Sequence, residues 1–168
     1  MKRILSFVLV VVGLVGVAGP AGAAPPPYDS GTIPLTGTGT AGTGGYCPFD
    51  VRLDYVSHEK TTKTAGPDGS TLFHFTGNAT ATVTNVSSGK TLHYNISGPG
   101  TTTVYPDNSV SADYTGPFLL FTTVANSYSG VPQLAYTTGH VQFTLTPSGV
   151  TTSYHRDGNS TDVCAALA

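Results

Sequence analysis

Tryptophan is absent from the 168 residues, methionine occurs once, cysteine twice, and charged side chains make up only 10% of the chain. Each shortage excludes something. Without tryptophan the chain lacks the best side chain for stacking on sugar rings, although nine tyrosines supply other amphipathic surfaces. The two cysteines form no CxxC pair and have no nearby Cys/His cluster, so no zinc site of ordinary spacing is present. There is no P-loop, no dinucleotide fingerprint, no DxDxDG calcium loop and no GxSxG elbow. No cofactor and no metal site are therefore expected. The longest uncharged apolar run, Ile4 to Ala18, covers 15 residues, short of the roughly 20 that span a bilayer.

That run belongs to the address of the chain. Lys2 and Arg3 precede it, Gly19-Pro20 loosens its end, and Ala21-Gly22-Ala23 places small residues where a signal peptidase needs them. The reading is a secretory signal peptide, 1–23, cleaved after Ala23, with a membrane anchor as the alternative. The protein is then secreted, extracellular or cell-wall associated. Removal of the leader leaves 145 residues with five Lys and Arg against nine Asp and Glu, a formal charge of −4. Such a chain has no basic patch to follow a phosphate backbone, which argues against nucleic acid as a partner. Its abundant Thr, Ser, Gly and Asn compete with helix hydrogen bonds and suit an extracellular β-protein.

Export also gives Cys47 and Cys164 a meaning. In an oxidising compartment, one pair near the two ends of a domain predicts a disulfide, a reactive thiol or a metal pair being the alternatives. Closing so long a loop stabilises a fold by about 4–5 kcal/mol on the chain-entropy model, an upper figure.

Residues 24–45 read as a Pro/Thr/Gly-rich linker, or as a segment lying along a sheet edge. From Tyr46 onward the period is two. Phe49, Val51, Leu53 and Tyr55 alternate with Asp50, Arg52 and Asp54, predicting a half-buried strand. His58 to Thr64 is polar and reads as solvated. Phe73, Phe75, Gly77, Ala79, Ala81 and Val83 then keep one parity, predicting one long strand bent at Gly77. Leu92, Tyr94 and Ile96 alternate likewise, as do Val110, Ala112 and Tyr114. Phe118 to Val124 is a continuous apolar run, predicting a strand covered on both faces. Leu134 to Thr146 and Val150 to Arg156 read as a hairpin, followed by a short strand ending at Cys164. Eight or nine strands separated by Gly, Pro, Asn and Asp turns, with no convincing helix, predict an all-β fold: an antiparallel β-sandwich, alternatively a β-barrel, over a single domain, 46–168.

The segments Cys47-Pro48-Phe49-Asp50-Val51, Asn95-Ile96-Ser97-Gly98-Pro99-Gly100-Thr101 and Asp162-Val163-Cys164-Ala165-Ala166-Leu167-Ala168 resemble those of small secreted actinobacterial proteins of uncharacterised function. The resemblance implies a secreted β-fold with the two cysteines joined, and it carries no catalytic residues.

Strand arithmetic tests the histidines as metal ligands. Pairing Val86 with Thr91 sets His93 opposite Thr84 and His74 opposite Thr103, about 33 Å apart at 3.3 Å per residue. Pairing Thr146 with Val150 sets His140 opposite Arg156 and His155 opposite Val141, on opposite faces. His155 with Asp162 and Ser153 makes a poor hydrolytic centre, because Ser153 and His155 share one strand face. Asn78, Asn85, Asn95 and Asn159 head N-x-Ser/Thr sequons, incidental in a bacterial exporter. Tyr105 and Tyr128 are the tyrosines expected at the surface. Function is then expected to be non-catalytic: a binding or structural module at or outside the cell surface, partnered by a glycan or a cell-surface protein. The alternatives are a barrel carrying a small apolar ligand, for which Phe118-Leu119-Leu120-Phe121 would suit a cavity, and a small secreted hydrolase.

Overall fold

A computed structural model describes residues 29–35, 46–121 and 130–168. The expected leader with Ala23, and Tyr128, lie outside the described residues. Strand alternation produces β1 (Asp29–Leu35), β2 (Val51–Ala65), β3 (Thr71–Asn85), β4 (Thr91–Asn95), β5 (Gly100–Val104) and β6 (Val110–Thr115). It continues with β7 (Phe118–Phe121), β8 (Leu134–Thr137), β9 (His140–Leu145), β10 (Thr151–Asp157) and β11 (Ser160–Asp162), and a single helical turn, α1 (Val163–Leu167), follows. One sheet has the order β1-β2-β3-β5-β6-β9-β10, with β4 also paired to β3; the other has the order β11-β8-β7. All ladders are antiparallel. The sheets do not close on themselves, so the fold is the sandwich and not the alternative barrel.

The two sheets share their strands. β6 continues into β7, β9 follows β8, and β10 continues into β11, each passing from one sheet to the other. The hydrogen-bond register survives the passage: Thr115 pairs with His140 on one side, and Phe118 pairs with Thr137 on the other. Asp157 pairs with His140, and Ser160 with Thr137, in the same way. Gly116, Gly139 and Gly158 therefore stand side by side at the crossing, and Gly116 N–H donates to the Gly139 carbonyl at 2.7 Å. The β3–β4 and β3–β5 ladders also share one register, which sets Gly98 opposite Gly77. Gly77 itself pairs with Glu59. A row of five glycines thus runs across neighbouring strands from Gly158 to Gly77 and ends on Glu59. Along this crease the sheet folds over itself, because strands without Cβ atoms can approach and bend where others collide.

Folding along the crease makes two cores. Leu53, Val83, Leu134, Val163 and Leu167 pack in one, with Leu119 and Phe121 against them. Phe75, Tyr114, Val141 and Phe143 pack in the other, with Leu120 and Ala135. Neighbouring residues of β7 thus face opposite cores, as expected of a run apolar on both faces. The expected disulfide is present: Cys47 joins Cys164 with a Cα–Cα distance of 5.3 Å. It fixes α1, which is capped by the Asp162 side chain accepting from Ala165 N–H.

Several expectations change. Seven residues of the 24–45 segment form β1 along the edge of β2, so the sheet begins before residue 46. Strands among the described residues number eleven instead of eight or nine, because β1 adds one and the crease divides the run Leu134 to Thr146 into β8 and β9. The last strand stops at Asp162, whose side chain starts a helical turn before Cys164. His58 to Thr64 belongs to β2 and not to a loop. Thr91 pairs with Thr84, since the buried Asn85 side chain accepts from Ser87 and Ser88 N–H and widens the turn. This two-residue shift preserves faces: His93 stands opposite Thr82 and His74 opposite Thr101, still about 26 Å apart along β3. The later hairpin shifts by one residue at a bulge between Thr151 and Ser153, and that reverses the face assignment. His155 now faces Gln142 and His140 faces Asp157, so the two histidines share the outer face.

Candidate functional site

The outer face of the large sheet holds most of the polar side chains. There His140 Nε2 lies 2.9 Å from Asp113, and His155 Nε2 lies 3.3 Å from Asp157. Ser153 Oγ bonds Thr144 Oγ1 at 2.6 Å, and Asp162 caps α1, so Ser153, His155 and Asp162 are not brought together. Among the described residues, no group of three or more His, Cys, Asp or Glu side chains is placed to hold a metal ion. Tyr105 is 36% exposed at the turn after β5, on a different turn from Val86 and Val150, the other large apolar side chains exposed among the described residues.

A partly open cavity of about 120 Å³ lies beside the crease, between the two layers. One wall is Ile33 of β1 with Leu53 and Tyr55 of β2; another is Phe75, Tyr114 and Phe143 across the crease. The whole of β7, Phe118 to Phe121, closes it from the small sheet. Gly98 belongs to the lining, so the furrow left by the crease continues into the cavity. Tyr114 reaches it because Gly100, its cross-strand partner, has no side chain; a Cβ there would collide with the Tyr114 ring.

Two polar side chains from β2 project into this apolar space, Ser57 and Glu59. They do so by parity: both continue the inward face of Val51, Leu53 and Tyr55. Ser57 is buried, its hydroxyl donates to the Glu59 carboxylate at 3.3 Å, and it accepts from Glu59 N–H at 3.2 Å. Burial pushes the Glu59 carboxyl above its ordinary value, and the Ser57 hydroxyl only partly opposes this. Burial also pushes Tyr114 up to about 12; its hydroxyl hydrogen bond to Thr102 opposes the rise and the Glu59 charge adds to it. That hydrogen bond is 2.6 Å long and buried. The Tyr55 hydroxyl donates to Asp29 of β1 at 3.3 Å; burial first and the Asp29 charge second hold its ionisation above the ordinary phenol value. Chemically, the site offers a carboxyl acceptor inside an aromatic and aliphatic enclosure. No protein-family model, no curated protein and no solved structure matches the chain.

The polar stretch His58 to Thr64 predicts a solvated Glu59, and the structure turns it into the cavity. The signal that places it inward is strand parity carried four residues beyond Tyr55. Its raised titration has a consequence for stability. A carboxyl whose folded value lies above its unfolded value contributes stability that is complete below about 4.5 and is lost as the pH climbs through the folded value. Glu59→Gln, which keeps the shape without the charge, is therefore expected to raise Tm at pH 8 and to leave it unchanged at pH 3.5. Thermal unfolding at the two pH values measures this; an equal shift at both would mean that charge is not the cause.

Proposed function

We propose that the protein is a secreted, non-catalytic binding module that holds a small apolar ligand between its two layers. The observation that carries the reading is the cavity itself, walled on one side by every residue of β7. About 120 Å³ approaches the volume of an engineered apolar cavity, roughly 150 Å³, that accepts benzene. A single ring or a short branched chain fits this space, and a long-chain lipid does not fit inside it. The disulfide suits an oxidising compartment, and no helix among the described residues is long and apolar enough to cross a membrane. The disulfide is in keeping with the leader expected at residues 1–23. Among the described residues, the large exposed apolar side chains, Val86, Tyr105 and Val150, sit on separate turns, which gives a surface partner little continuous area there.

Fluorobenzene is a suitable neutral probe, titrated into isotopically labelled protein with amide shifts as the readout. Binding is expected to move the amides of Leu119, Leu120 and Phe121 and to broaden the fluorine signal. Ala79→Leu fills the cavity from β3, and Ile33→Phe fills it from β1; each folded variant is expected to abolish both effects. Unchanged spectra with the wild-type protein at millimolar probe would overturn the reading.

A further inference from the structure

An apolar cavity needs no carboxyl to hold an apolar molecule, and burying one without a counter-charge is costly. Glu59 is nevertheless the side chain at the end of the glycine row, placed where the crease meets the cavity. Among the described residues, its carboxyl has the Ser57 hydroxyl as its hydrogen-bond partner in the cavity, at 3.3 Å. Among the described residues, no lysine, arginine or histidine lines the cavity. We infer that the ligand is a small hydrophobic amine, whose ammonium pairs with the Glu59 carboxylate while its apolar body lies against Phe75, Phe118 and Phe143. The inference rests on the cavity being a ligand site and adds the chemistry of the ligand.

The surroundings favour a cation from every side. Tyr114 of β6 lines the same cavity as Glu59, and aromatic rings attract ammonium groups. Asp29 of β1 stands opposite Ser57 and takes the Tyr55 hydroxyl, so a second carboxylate backs a residue of the lining. The nearest lysine on the inward face of β2 is Lys63, four residues further along, and its ammonium lies 5.8 Å from the Phe73 ring centroid. His58 and Lys60 share the opposite face of β2. A fatty acid or another anion would meet the Glu59 carboxylate, with Asp29 behind Tyr55, and is disfavoured.

Three probes with one ring and one two-carbon arm isolate the head group: 2-phenylethylamine, 2-phenylethanol and phenylacetate. At pH 8, calorimetry or shift titration is expected to give the amine about tenfold tighter binding than the alcohol, with phenylacetate weakest. Glu59→Gln is expected to bring the amine down to the affinity of the alcohol and to leave the alcohol unchanged. Asp29→Asn is expected to weaken the amine by a smaller factor. Lowering the pH until Glu59 is protonated removes the amine's advantage in the wild-type protein. Equal binding of amine and alcohol to the wild-type protein, or tightest binding of phenylacetate, overturns the amine assignment while fluorobenzene binding keeps the cavity reading. Failure of fluorobenzene and of all three probes overturns both.

Discussion

Gly139→Ala and Gly158→Ala are each expected to destabilise the protein by more than about 3 kcal/mol, and the two together are expected to prevent folding. Both residues have positive φ, 101° and 122°. A left-handed or otherwise rare conformation costs a non-glycine residue about 1–3 kcal/mol before any contact is considered. Here the contacts are worse than the torsions. A Cβ on Gly139 would collide with the Asp157 carbonyl oxygen, and one on Gly158 with the Thr138 carbonyl oxygen. Both obstacles are backbone, so no side chain can swing aside. The ladder would have to open at the point where two strands change sheets. Gly89 supplies the control, since it has φ 74° with nothing within 4 Å of a built Cβ. Gly89→Ala then reports torsional cost alone, about 1–2 kcal/mol. Urea denaturation of the three variants measures the difference; equal losses would show that the crease tolerates side chains.

Removing the disulfide is the second large effect. Cys47→Ser with Cys164→Ser is expected to cost about 2–5 kcal/mol, or roughly 5–15 °C in Tm. Part of the effect is chain entropy, because the bond closes residues 117 apart in sequence. Another part is local. α1 has five residues, too few to be helical by itself. Its fully buried Val163 and Leu167 complete the first core only while the turn stays docked. Apart from the sulfur bridge, the Asn85 side chain donates to the Leu167 carbonyl at 3.2 Å and the Lys90 ammonium to the Ala168 carbonyl at 2.8 Å. Denaturant titration with and without reductant tests this. A loss below about 1 kcal/mol would mean that packing alone holds the turn.

Local pattern made the strands legible and left their assembly hidden. The parity of Phe73 through Val83 passes unbroken through Gly77, so both the long strand and its bend could be read. Gly98, Gly116 and Gly158 each sit beside a Pro, Asn or Asp, and each reads as an ordinary turn signal. That they stand in one row depends on cross-strand register, which the sequence specifies only weakly across glycines. Histidine placement failed for a related reason: one bulged residue after Thr151 exchanges the faces of everything beyond it. The apolar wall of the cavity was visible in Phe118 to Phe121. Its carboxyl was not, because a polar stretch suggests solvent until the strand that contains it is extended.

The shared ladders have a further consequence for how the domain comes apart. In a sandwich whose sheets are joined only by loops, one layer can loosen while the other keeps its amide protection. Here β6, β8 and β10 each lead directly into a strand of the other layer through hydrogen bonds that keep register across the crease. Opening one layer unzips the other, so both belong to a single cooperative unit, with β1 and the outer half of the β2–β3 hairpin as the parts able to fray alone.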